Sequence, residues 1–306
     1  MIYTLRHATT YVYEDPVTFA RCVLRLTPKD FASQAVLRSS VQVTPRPAST
    51  VEGQGPFGER TLTLIIDRPH TELVIEARSR VEVHAPPVGD PADSPPWEAV
   101  HAAGYAAADL GPEGPAAYLY PTRRTPVAAA ITAYARQSFT AGRPIVEAAA
   151  ELMTRMREEF VYDPEATTVS TPAVEAFEAR HGVCQDFAHI MIAGLRGLGL
   201  PAAYVSGYLR TIPPPGQPRL AGADATHAWV NLWCGERGWI GFDPTNAVFA
   251  ENDHIVLAIG RDYSDVAPID GVILAPGVQT LKVEVDVIPD GEAEPVPAPK
   301  PAARRG

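Results

Sequence analysis

Apolar and polar residues alternate along the first part of the chain. In TELVIEARSRVEVHA (71–85), Leu73, Ile75 and Ala77 fall on one face, and Val81 and Val83 resume the alternation. That is the two-residue period of a half-buried strand. The runs VLRLTP, SVQVTP and TLTLII repeat it in shorter form, separated by Pro, Gly, Ser and Asp. Residues 1–85 therefore read as a small β-sandwich-like domain. Residues 86–125, rich in Pro, Gly and Ala, read as a connector lying over the surface, with a short helix near Trp97–Leu110.

The period changes after Thr125. Pro126 follows it as cap and first helical position. From Pro144 a second helix carries Ile145, Ala149, Leu152, Met153, Met156 and Phe160 at helical spacing, a core stripe. VEAFEAR forms a third, short helix. The next begins at Cys184, with Phe187, Ile190, Met191, Leu195 and Leu198 apolar and Gly199 and Pro201 closing it. At about 100° per residue, Met191 and Leu195 lie within about 20° of Cys184, which predicts a helix buried at the centre of its domain. Strand-like runs follow: AAYVSGYL, HAWVNLWC, GWIGFDP, HIVLAIG and, ending at Ile288, TLKVEVDVI. Helices first and antiparallel strands afterwards predict an α+β domain over 126–288, its central helix packed on a sheet. Residues 289–306 hold no aromatic and are dominated by Pro, Ala and charge, the composition of a disordered tail.

Charge narrows the partners. Acidic residues outnumber basic ones, 36 to 26, for a net charge of −10, which argues against nucleic acid or an anionic membrane surface. No window approaches a membrane-spanning run of apolar residues, and the opening residues alternate like a strand rather than a signal sequence. The three cysteines, Cys22, Cys184 and Cys234, are too few and too odd in number for a disulfide framework. A reducing compartment, the cytoplasm, is expected.

Cys184 stands where the turn His181-Gly182-Val183 meets a helix start. There the macrodipole favours thiolate, and free backbone N–H groups can hold an oxyanion. His227 opens the strand HAWVNLW and Asp243 ends GWIGFDP. Two strands joined by the turn CGERG would set these side chains together, Asp243 orienting the imidazole and leaving its other nitrogen for the thiol. Cys184 is thus a candidate nucleophile, His227 a base and Asp243 its orienting acid.

HGVCQDFAHIMIAGLRGLGLPAAYVSGYL, ADATHAWVNLW and GWIGFDPTN closely resemble the bacterial transglutaminase-like family over residues 150–265, and residues 1–85 resemble the β-rich domain that precedes this core. The resemblance implies a papain-like α+β core in which Cys184 attacks an acyl group, a thioester forms, and His227 and Asp243 assist. It implies a peptide, protein or small amide substrate and no cofactor, and it leaves water or an amine as the acceptor. Animal transglutaminases use a tryptophan upstream of the cysteine to stabilise the oxyanion. No Trp lies between Trp97 and Cys184 here, and Tyr162 is the nearest residue suited to that role. No acidic loop suggests calcium. The run NDHIVLAIGRDYSDVAP also resembles a recurrent stretch of the family, without an assignable chemical step.

Other readings compete. Asp186 and Gln185, in the first turn of the Cys184 helix, are candidates for orienting substrate, against a default role for Asp186 in stabilising the helix start. Cys184, His189, His227 and Cys234 are zinc-ligand types, but they lack short ligand spacings, and His189 falls about 140° from Cys184 on the helix, so no metal is expected. His189 reads as structural, and Cys22 and Cys234 as inert. The rival from another class is a binding or scaffold protein that kept the fold without turnover.

Overall fold

The computed structural model describes residues 1–212, 220–222, 224–274 and 277–292, with the side chain of Ala225 left aside. Six strands come first: β1 (Ile2–Val17), β2 (Phe19–Leu24), β3 (Gln34–Thr44), β4 (Ser49–Gln54), β5 (Arg60–Ile66) and β6 (His70–Val83). Helices α1 (Trp97–Ala106), α2 (Ala129–Arg136) and α3 (Ile145–Glu159) follow, then β7 (Val161–Tyr162), α4 (Ala173–Ala179), β8 (His181–Gly182) and α5 (Cys184–Gly197). After them run β9 (Ala202–Leu209), β10 (Ala225–Trp233), β11 (Trp239–Asp243), β12 (Val248–Phe249), β13 (His254–Gly260), α6 (Tyr263–Val266), β14 (Ile269–Leu274) and β15 (Gln279–Pro289). No described helix is long and apolar enough to cross a membrane.

The N-terminal strands form two four-stranded antiparallel sheets, ordered β15-β1-β6-β3 and β14-β2-β5-β4. Their inner faces share a core that includes Leu24, Leu64, Ile66, Leu73 and Ile75, the face that the alternation of 71–85 predicts. Two strands come from an unexpected place. β15, expected inside the 126–288 domain, pairs along β1 from Tyr3↔Pro289 to Tyr13↔Gln279, and β14 pairs with β2. Alternation in TLKVEVDVI specifies a strand but not its partner, and the free edge of β1 supplies one. The segment 86–125 also differs from a surface connector. Trp97 and Val100 enter the helical core, the Trp97 indole donates to Thr140 C=O at 2.9 Å, and Tyr118 is buried edge-on to Trp239. Apolar anchors spaced along a Pro-rich chain bind it to the domain beneath. Of the predicted tail, 293–306 lies outside the described residues, while Asp290 pairs with Arg80.

The second domain is α+β, as its pattern predicts. Its five-stranded antiparallel sheet runs β12-β11-β10-β9-β13. Ala228, Val230 and Leu232 of β10 join Phe187, Ile190, Met191 and Leu195 of α5 in one core, so α5 lies buried against the sheet. The opposite parity of β10 carries His227, Trp229 and Asn231. Trp229 fits beneath β9 because position 207 is glycine: a Cβ there would stand 2.5 Å from the indole and 2.2 Å from Ile255 C=O. The C-terminal half of α5 is held by Arg196, which is buried. Its guanidinium donates to Tyr118 C=O, Ala202 C=O, Thr125 Oγ1 and Arg261 C=O at 2.7–3.2 Å. Burial lowers the Arg196 pKa to about 10, and the carbonyls take the place of water around the charge.

Candidate active site

The turn before Cys184 is pinned from several sides. Arg180 ends α4 in the left-handed region with φ 58°. Its guanidinium lies 4.5–4.8 Å from the ring centres of Tyr134, Phe160 and Phe177, a cation–π cage. β8 pairs in parallel with β7, Tyr162 opposite Gly182. At Gly182 φ is +157° and a Cβ would meet Asp186 Oδ2 at 2.6 Å, so this turn needs glycine. The Asp186 carboxylate folds back under it, Oδ2 accepting from Val183 N–H at 2.9 Å and Thr167 Oγ1 at 2.6 Å. Burial raises the Asp186 pKa against those two bonds. Gln185 donates its amide to Val169 C=O at 3.1 Å. Both side chains are therefore engaged in holding the 163–171 loop to the helix start. Tyr162 is exposed and sits in electrostatic contact with Cys184; partial burial and that neighbour raise its phenol.

Cys184 is the first residue of α5 and partly exposed. Its sulfur stands close enough to His227, across the gap between helix and sheet, to raise the imidazole's pKa. The far nitrogen of His227, Nε2, lies 2.8 Å from Asp243 Oδ2, which leaves Nδ1 for the thiol. Burial alone would lower the His227 pKa; the bonds to Asp243 and Cys184 outweigh it and raise the value to about 10. Asp243 is wholly buried. Burial would push its carboxyl up, but hydrogen bonds from His227, His254 and Asn246 hold it well below the usual carboxylate range. The DPTN turn completes its surroundings: Thr245 and Asn246 N–H donate to Oδ1 at 3.0 and 3.3 Å, and Asn246 Nδ2 donates to Oδ2 at 2.7 Å. The structure thus sets His227 and Asp243 in direct contact, with Cys184 an electrostatic neighbour of both His227 and Tyr162.

One member of this cluster escaped the sequence reading. His254, the first residue of β13, places Nε2 3.2 Å from the same Asp243 Oδ2. It lies in the run NDHIVLAIGRDYSDVAP, whose other residues also gain places. Arg261 C=O takes the Arg196 guanidinium, Asp262 caps α6 through Ser264 N–H, and Tyr263 N–H donates to His189 Nε2 at 3.2 Å. His189 itself is buried and its partner, Tyr263 N–H, is half-buried; burial lowers the His189 pKa to about 3. The run's resemblance to a recurrent stretch of the family was the available signal; its contacts required the fold.

Metal binding can be tested on these distances. His227, Asp243 and His254 present ligand atoms within 4.8 Å of one another. Yet the 2.8 and 3.2 Å separations are hydrogen-bond lengths, and Asn246 fills a further site on the same oxygen. Zinc would stand about 2.0–2.2 Å from each ligand atom and remove the protons that make these bonds. The donor set fits a hydrogen-bonded network better than an ion. Cys234 lies in the apolar core, its thiol pushed up by burial. A cavity of about 360 Å³ lies under the sheet, lined among others by Trp229, Asn231, Gly241, Phe31 and His254. It meets the cluster through His254 and does not include Cys184.

Comparison with known proteins gives the family and the fold. Residues 3–82 match the bacterial transglutaminase-like N-terminal region, and residues 132–244 match the transglutaminase-like superfamily. Uncharacterized proteins of Mycobacterium bovis and Mycobacterium tuberculosis are 38% identical over 300 residues, covering 95% of this chain and 94% of theirs. A protein-glutamine gamma-glutamyltransferase of Pseudomonas aeruginosa is 35% identical over 108 residues, 33% of this chain and 16% of that protein. The crystal structure of a candidate cysteine protease from Cytophaga hutchinsonii shares the fold with a TM-score of 0.71 at 22% identity, covering 97% of this chain and 93% of that one. On the family matches and the full-length relatives together, the chain belongs to the bacterial transglutaminase-like family.

Proposed function

We propose that the protein is a cysteine-dependent acyl-transfer enzyme acting on amide bonds of peptides or γ-glutamyl-type substrates. The observation that carries the reading is a buried carboxylate holding His227 at 2.8 Å, with a partly exposed thiol at a helix N-terminus close enough to that histidine to raise its pKa. In the first half-reaction Cys184 Sγ attacks the amide carbon while His227, whose pKa is raised to about 10, already holds the proton as an imidazolium. The oxyanion faces the N–H groups of Cys184 and Gln185, which precede the first intrahelical bond, Phe187 N–H to Val183 C=O. Collapse breaks the C–N bond, His227 gives its proton to the departing amine, and a thioester remains. Water or a second amine then attacks the thioester with His227 taking the proton of the newcomer, and collapse breaks the C–S bond, releasing the acid or new amide and returning the Cys184 sulfur to its pairing with protonated His227. Asp243 keeps the imidazole in the required tautomer throughout. The similarity to the Pseudomonas glutamyltransferase over 108 residues supports a glutamine-type acyl donor.

Iodoacetamide labelling at pH 7 tests the reading directly. Peptide mass analysis of the native protein is expected to show Cys184 modified well before Cys22 and Cys234, which are buried, and His227→Ala is expected to slow Cys184 at least tenfold by removing its base. Equal labelling of all three thiols, untouched by the substitution, would leave a scaffold as the better description. Glutamine-bearing peptides offered with and without a primary amine then separate transfer from hydrolysis.

A further inference from the structure

We infer that His254 is a positioning residue: by donating Nε2–H to the Asp243 oxygen that holds His227, it shares that oxygen's charge and sets how firmly Asp243 grips the imidazole. The inference rests on the reading of Cys184, His227 and Asp243 as the reacting triad.

Three donors converge on Asp243 Oδ2: Asn246 Nδ2 at 2.7 Å, His227 Nε2 at 2.8 Å and His254 Nε2 at 3.2 Å. Two backbone N–H groups occupy Oδ1. A carboxylate offers roughly four lone-pair sites, so this one is saturated. Because Asp243 is fully buried, water does not replace a donor that is lost. An anion divided among three donors draws less strongly on the His227 proton than one divided between two. That proton must leave for the amine, so the third donor bears on the step itself.

The position of His254 supports a role beyond packing. His227 and Asp243 lie on neighbouring strands, whereas β13 stands on the far side of β9 from β10. The His254 side chain crosses that interval, lying edge-on to Trp229 with ring centres 5.2 Å apart. Its Nδ1 is buried without a partner among the described residues. Burying an unpaired nitrogen is unfavourable, and a leucine or phenylalanine would fill the same space without it. What the imidazole supplies that they lack is the Nε2 donor. The titratable groups facing His227 are Cys184 from α5, Asp243 from β11 and His254 from β13. Tyr162 of β7 faces Cys184.

The test uses the full chain labelled with ¹⁵N-histidine, following the His227 ring nitrogens by NMR against pH. His254→Leu removes the donor; His254→Gln keeps an N–H of similar reach. The leucine variant is expected to move the His227 midpoint upward by about half a unit or more, with Cys184 alkylation by iodoacetamide within about twofold of wild type because the Cys–His pair still forms. The glutamine variant is expected to restore the midpoint. If His254→Leu does not fold, His254→Asn, too short to reach Asp243, must give the same upward movement. A midpoint unmoved or lowered, or equal behaviour of the donor-keeping and donor-lacking variants, overturns the proposal. His227→Ala is the control for the reading beneath it. If alkylation ignores that substitution, the triad reading falls first, irrespective of what His254 does.

Discussion

Cys22 and Cys184 occupy the two halves of the molecule and show how differently those halves treat one side chain. In the N-terminal sandwich, Cys22 is packed among Leu24, Leu64 and Ile66, and burial raises its thiol. It behaves there as a small apolar residue. In the second domain, Cys184 is partly exposed at the first position of a helix and close enough to His227 to raise its pKa. The surroundings differ in the same sense. Both halves bury polar side chains, His7, Glu59 and His70 in the first and Asp186, His189, Arg196, His227, Asp243 and His254 in the second, but Cys22 is buried among apolar residues whereas Cys184 is partly exposed beside His227. Apart from isolated atoms such as Asp186 Oδ1 and His254 Nδ1, each of these polar side chains finds a hydrogen-bond partner. Residue type therefore does not separate a reactive thiol from an inert one; the polar groups that the fold assembles around it do.

The comparison breaks most visibly at Asp243. Asp243→Asn keeps the volume but offers His227 an amide in place of a carboxylate, favouring the wrong tautomer. Acyl transfer is expected to fall by about 10⁴-fold while secondary structure by circular dichroism stays unchanged. Loss of less than about tenfold in single-turnover acylation would remove Asp243 from the chemistry. Next in size is Arg196. Arg196→Met leaves the buried carbonyls of Tyr118, Ala202 and Arg261 without their donor. Urea denaturation is expected to show a loss of about 4 kcal/mol, on the order of 1–3 kcal/mol for each orphaned group less partial relaxation. A loss under about 1 kcal/mol would show that the carbonyls find other donors.

A smaller effect follows from His227, whose pKa is raised from 6.5 to about 10 in the folded protein. Between those pH values the folded state binds the His227 proton and the unfolded state does not. The stabilisation is therefore complete below about 6.5 and is lost as pH rises towards 10, with a limiting slope of ~1.4 kcal/mol per pH unit for one proton. Stability measured by urea from pH 6.5 to 10 is expected to fall more steeply for the wild type than for His227→Gln. Parallel curves would mean that the imidazole is not held protonated by its partners.

Much of this architecture is legible in the chain. The alternation of 71–85 marks the buried face of β6, and the apolar spacing after Cys184 marks a helix enclosed on most sides. Of the site residues read from long motifs, His227 and Asp243 meet directly, and Cys184 stands near enough to His227 to shift its pKa. What stayed hidden depends on partners chosen through tertiary structure. TLKVEVDVI reads as a strand but carries no sign that its neighbour is β1, hundreds of residues earlier. His254 stands at the head of an ordinary buried strand, and nothing local reveals that it reaches across β9 to Asp243. Arg196 resembles a surface arginine near a helix end until four chain segments close over it.

The smallest expected effect returns to the first contrast. Cys22→Ala removes one sulfur from a filled core in which Cys22 is 1% exposed. The transfer and cavity contributions together predict a loss of ~1 kcal/mol in urea denaturation. The rate of acyl transfer per folded molecule is expected to remain that of the wild type, because Cys22 packs in the sandwich core, a cluster separate from the one that Cys184 packs against. The same change at Cys184 should reverse the pattern, leaving stability within about 0.5 kcal/mol at a partly exposed position and abolishing transfer. If Cys22→Ala slowed transfer without unfolding the protein, the sandwich would have to be counted as part of the catalytic machinery, and the division drawn between the two halves would fail at its simplest point.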